Sequence, residues 1–74
     1  MRTRKTTAPM PYPTGTYVVD TRTATLGQVM ATEPHTVHIR PPRGGLEWEA
    51  PPHALRPATT EERAAAGLRT EARP

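Results

Sequence analysis

Three histidines and the glutamates at 47 and 49 stand out among the residues of this 74-residue chain whose types could do chemistry. His35, His38 and His53, with Glu47, are donor types that bind zinc and similar ions. Their spacing argues against a shared ion, because positions three apart on an extended strand face opposite sides of the sheet. Glu47 and Glu49 stand two apart, on one face of a strand, as paired carboxylates do in acid–base catalysis. So short a chain, however, has little wall with which to enclose a substrate beside them. Nucleophilic catalysis lacks its parts: there is no cysteine and no serine, and the threonines have no evident base. These side chains read as solvated polar groups. No metal and no other cofactor is expected, and the chain is not expected to be an enzyme.

Binding is the better-represented chemistry. Arginine, tyrosine and tryptophan are enriched where binding energy concentrates, and Arg40, Arg43 and Trp48 flank the Pro41-Pro42-Arg43-Gly44-Gly45 loop. Tyr17, with Tyr12 nearby, offers an aromatic platform if it points outward. Each has a plainer reading. Trp48 is either a contact residue or the central core residue of a domain without phenylalanine. Arg40 either meets a partner or pairs across strands with Glu47 or Glu49. The candidate partner-binding set is therefore Tyr17, Arg40, Arg43, Gly44 and Trp48, and the expected partner is another protein.

The net charge of +3 invites a nucleic-acid reading, which the location of the charges weakens. Residues 1–14 carry Arg2, Arg4 and Lys5 and no acid. Residues 15–57 balance four arginines with four acids, and residues 58–74 balance three with three, so the whole excess lies at the N-terminus. Three charges grip phosphates only weakly, with steep salt dependence. Nucleic acid held by Arg2, Arg4 and Lys5 is thus the alternative partner, and a structural subunit of a larger assembly is a third reading. No stretch approaches the roughly 20 apolar residues that span a bilayer. The basic start is not followed by a signal-peptide-like apolar run. A cytoplasmic location is expected and no membrane partner, and the lack of cysteine fits a reducing compartment.

The elements that must position these residues are short, because ten prolines and five glycines punctuate the chain. Alternate prolines at 9, 11 and 13 make residues 1–13 an extended, disordered basic arm tucked against the folded part of the chain. The β-branched run at 16–20 predicts a first strand, with Val18 inward and Tyr17 outward. A second strand spans 25–31, with Gly27 marking a bulge or a close backbone contact, and residues 32–34 turn the chain. Residues 35–40 alternate with period two, Val37 and Ile39 on one face and His38 and Arg40 on the other. After the 41–45 loop, residues 46–50 predict a fourth strand with Leu46, Trp48 and Ala50 on one side. Pro51-Pro52 stops it, leaving room for a helical turn and a brief last strand that carries Leu55 inward. Fewer than about ten buried side chains are expected in so small a domain. Thr59 and Glu62 form a capping-box pattern ahead of Ala64-Ala65-Ala66 and Gly67, which predicts a short helix over 59–67 with almost no apolar face. Residues 68–74 are expected to be a disordered tail.

The pattern Gly15-x-x-Val18-x-Asp20, Leu26-Gly27-x-Val29-Met30, Ile39-Arg40-Pro41-Pro42-x-Gly44-Gly45-x-Glu47-Trp48 and Pro52-x-x-Leu55-Arg56-Pro57 resembles the small SH3-like barrel proteins of unknown function found in Streptomyces and related actinobacteria. The preference for arginine over lysine agrees with such a high-GC source. The resemblance spans residues 14–59 and implies an all-β fold: a small five-stranded SH3-like antiparallel barrel over 14–58, closed by pairing the last strand with the first. It implies no catalytic pattern. The ALYDY-type strand and long acidic loop of signalling SH3 domains are missing, which argues against recognition of proline-rich peptides in that mode.

Overall fold

The computed structural model describes residues 12–68, within which five strands form one antiparallel sheet in the order β4-β3-β2-β1-β5. The strands are β1 (Tyr17–Asp20), β2 (Thr25–Glu33), β3 (Thr36–Arg40), β4 (Trp48–Ala50) and β5 (Leu55–Pro57). A 3-10 turn at Pro52–Ala54 joins β4 to β5, and a helix α1 (Thr60–Ala65) follows. The expected basic arm, including Arg2, Arg4 and Lys5, lies outside the described residues, as does the tail beyond Leu68. Among the described residues no helix is long and apolar enough to cross a membrane.

Alternation builds the sheet's inner face. Val18, Val29, Val37, Ile39, Ala50 and Leu55 form one buried cluster, with Tyr12 and Trp48 packed against it. Register explains the cluster, since Val29 lies opposite Ile39, Ile39 opposite Trp48, and Val37 opposite Ala50. β2 runs two residues past its expected end, and the chain reverses at Pro34 and His35 instead of at 32–34. The irregularity in β2 falls between Val29 and Ala31, where Met30 has no partner on β3. That extra residue resets the alternation, so Val29 and Thr32 both sit opposite inward-facing residues of β3.

Gly27 marks not the bulge but a close approach. A Cβ there would lie 2.3 Å from Ile39 Cγ2 and 2.7 Å from Trp48 Cη2. The backbone of β2 therefore serves as floor for two core side chains.

Two expectations are corrected. The fourth strand begins at Trp48, and Leu46 is 90 % exposed instead of inward. The physical reason lies in Gly44 and Gly45, whose φ values of +87° and +118° take the chain out of extended geometry before Leu46. The second concerns closure. β5 does pair with β1, Asp20 lying opposite Leu55, yet this adds an edge strand and does not close the sheet. β4 and β5 have three residues each, and the chain between them passes through the 3-10 turn at Pro52–Ala54 with no ladder joining the two. The edges nonetheless share a core, for Ala50 of β4 and Leu55 of β5 belong to the same buried cluster.

α1 begins as its sequence predicts. Thr59 accepts from the Glu62 backbone N–H, and the Glu62 carboxylate accepts from the Thr59 N–H. Its C-terminus closes with Gly67 N–H donating to Ala64 O at 3.0 Å and Leu68 N–H to Arg63 O at 2.9 Å, a Schellman arrangement.

Gly27→Ala should destabilise the fold by about 1–3 kcal/mol, the cost of overpacking a tight core. Urea unfolding followed by circular dichroism checks it; an unchanged midpoint would mean the contact at Gly27 has slack.

Candidate functional site

The only acidic residue of β1 sits on its inner face. Asp20 shares the parity of Val18 and is fully buried. A charge in that position must be paired and hydrogen-bonded to persist, and it is. Arg22 meets it in a two-toothed grip, Nε to Oδ1 at 3.0 Å and Nη2 to Oδ2 at 2.8 Å. The Arg22 backbone N–H also donates to Oδ1 at 3.0 Å. From across the sheet, Trp48 Nε1–H donates to Oδ2 at 3.0 Å. The hydrogen bonds from the Arg22 side chain, opposed by burial and helped by the Arg22 backbone and Trp48, bring the Asp20 carboxyl from 3.8 down to about 2. Arg22 Nη2 then donates onward to Glu49 O at 3.2 Å. β1 and β4, three places apart in the sheet, are thus joined by side chains where no ladder joins them.

Trp48 packs against the core from β4. Its indole is half-buried on the core, with its N–H committed to Asp20. Tyr12 and Tyr17 do not make a platform. Tyr12 packs on the core cluster and donates to Leu55 O at 3.1 Å, whereas Tyr17 shares the opposite face with Val19. Val19 is also buried, at 6 % exposure, although Val18 is the residue in the core cluster.

Arg40 is exposed at the end of β3, opposite Gln28, and Glu49 lies opposite His38 instead. The cross-strand ion pair of Arg40 with Glu47 or Glu49, one of its two readings, is not formed. Glu47 stands in the loop before β4, so the two glutamates do not share a strand face. Both carboxylates are exposed. The His38 ring instead lies between two carboxylates, Nε2 3.3 Å from Glu33 Oε2 and Nδ1 3.7 Å from Glu49 Oε2. These meet opposite nitrogens and so do not converge on one point. Among the described residues no group of three or more histidines and acids is arranged to hold a metal ion. His35 and His53 are exposed, His35 lining a shallow cleft with Thr36, Glu49, Ala50 and Pro51.

The loop between β3 and β4 presents the remaining candidates. Gly44 N–H donates to Pro41 O at 3.0 Å, closing a turn, and Arg43 Nη2 reaches Ala66 O at the end of α1 at 3.5 Å. The Trp48 side chain fixes the loop's far end. Leu46, which hydrophobic alternation assigns to the core, projects between these anchors. The two glycines just ahead of it are the signal that could have found it.

No protein-family model matches the chain, and neither the curated proteins nor the solved structures yield a match.

A carboxylate whose folded pKa lies below its unfolded value stabilises the fold above the unfolded value and loses that effect as pH falls through the folded one. For Asp20 the window runs from about 4 down to about 2. Stability should fall across that window, and Asp20→Asn should flatten the slope while costing about 1.5–3 kcal/mol at neutral pH through lost charged hydrogen bonds. Trp48, the chain's single tryptophan, supplies the fluorescence readout in denaturant titrations at stepped pH. An equally steep slope in the variant would remove Asp20 from the account.

Proposed function

We propose that the chain is a non-catalytic interaction module, an SH3-like barrel that contacts a protein partner through the loop at 41–47. The barrel reading is supported by the consecutive antiparallel run β1 to β4, with β5 returning beside β1 and both edge strands contributing to one core. The observation that carries the functional reading is Leu46. It stands 90 % exposed on a loop anchored at both ends. An apolar side chain held out by a pre-ordered loop loses little conformational entropy on docking. Arg40 and Arg43 are exposed at the same end of β3, so the fitting partner offers an apolar recess with acidic residues beside it. Gly44 keeps its role by shaping the loop. Tyr17, on the opposite face from the core, is peripheral to this surface, and Trp48 acts as its support.

The test is a tagged pull-down from a high-GC actinobacterial lysate, with and without nuclease, using the parent chain and a Leu46→Asp variant. A discrete protein that survives nuclease and is lost in the variant is the expected result. The variant's stability should stay within about 0.5 kcal/mol of the parent, as for surface substitutions generally. Retention of the same protein by Leu46→Asp would sink the loop as the contact surface. Nucleic acid that leaves with nuclease would shift the function to Arg2, Arg4 and Lys5.

A further inference from the structure

Helix α1 lies against the outer face of the sheet but contributes nothing to its interior. None of its residues is buried, and the core cluster contains none of them. Six residues are too few for a helix to persist in water without tertiary support. Its support is polar and solvent-facing. Arg56 of β5 grips Glu62 with both ends of its guanidinium, Nη1 to Oε1 at 2.8 Å and Nη2 to Oε2, and this holds the Glu62 carboxyl at about 2, down from 4.5. Arg63 Nη1 donates to Ala58 O at 3.2 Å, and Arg43 touches the helix end through Ala66 O.

Beside these contacts a cleft remains between the helix and the sheet. It measures about 340 Å³ and is lined by Val19 and Leu26 on the sheet, Ala65 and Ala66 on the helix side, and the Arg56–Glu62 pair. Val19 and Leu26 are opposite each other across β1 and β2, and Tyr17 shares their face. The sheet therefore carries an apolar strip on its outer surface whose cover is fastened by charge and hardly by packing.

We propose that α1 is a detachable cover: it opens and unwinds as a unit while the sheet stays folded, baring the Val19–Leu26 strip, and the Arg56–Glu62 ion pair sets how often it does so. Segments with few buried contacts open at lower free energy than the core around them. An exposed ion pair is weakened by salt, so ionic strength is the condition that moves this equilibrium. The opening needs no partner, and it releases the Arg43 contact with Ala66 O at the shoulder of the 41–47 loop.

Amide hydrogen exchange of the full chain tests it. The hydrogen-bonded amides of Arg63, Ala66 and Leu68 report the helix, and that of Val29, bonded to Thr16 O, reports the sheet. Helix amides should exchange faster than Val29 at low salt. They should accelerate a further two- to tenfold, roughly the range for losing an exposed charged pair, both in 1 M sodium chloride and in Arg56→Gln, with Val29 unchanged. Arg56→Gln removes the charge opposite Glu62 while replacing neither residue of the Thr59–Glu62 cap. Because the chain has no cysteine, Val19→Cys gives a second readout: thiol labelling should quicken with salt. Equal exchange of helix and sheet, or helix exchange indifferent to both salt and Arg56→Gln, overturns the proposal. So does thiol labelling that salt does not alter.

Discussion

The Asp20 carboxylate is buried completely, and the groups that keep it charged come from two separated parts of the sheet. Arg22 arrives from the turn after β1 and Trp48 from β4. In a sheet whose edge strands share no ladder, this carboxylate is the polar tie that spans the opening. Losing one partner of a buried charge costs far more than its intact interaction contributes, because the remaining charge keeps its desolvation penalty. The curl of the sheet, the seating of the only tryptophan and the course of the 21–24 turn therefore depend on one another.

Around that tie the protein divides its labour by face. The inner face is built from three valines, one isoleucine, one leucine and one alanine, a modest set closed by Tyr12 and Trp48. Gly27 is what lets such small side chains suffice, since its missing Cβ brings the β2 backbone against Ile39 and Trp48. The outer face carries polar contacts instead: the His38 ring beside the carboxylates of Glu33 and Glu49, and the Arg56–Glu62 ion pair. Polar contacts in solvent contribute little each, so most of the stability resides within the sheet.

The same division places the exposed loop. Gly44 and Gly45 adopt backbone geometry that ends the alternation running through β3, and Leu46 emerges on the solvent side while Trp48, two residues on, regains the core. The loop is ordered at its base by Asp20 through Trp48 and at its shoulder by Arg43 on the end of α1. The buried carboxylate thus influences the surface from which Leu46 projects.

Much of this was legible in the residues alone. Period-two alternation of Val37 and Ile39 specified the face they bury, because in a strand nothing else alternates at that interval. The Thr59–Glu62 spacing encoded the helix cap, a local device that needs no tertiary partner. Asp20 shared the parity of Val18, so its inward direction was readable, but its partners were not. A contact across 28 residues, such as Asp20 with Trp48, depends on how the sheet curls. Likewise the bulge at Met30, the pairing of His38 with two glutamates and the outward turn of Leu46 rest on register and on backbone torsions. Local patterns determine which way a side chain points along its own strand; only the folded chain decides what it meets there.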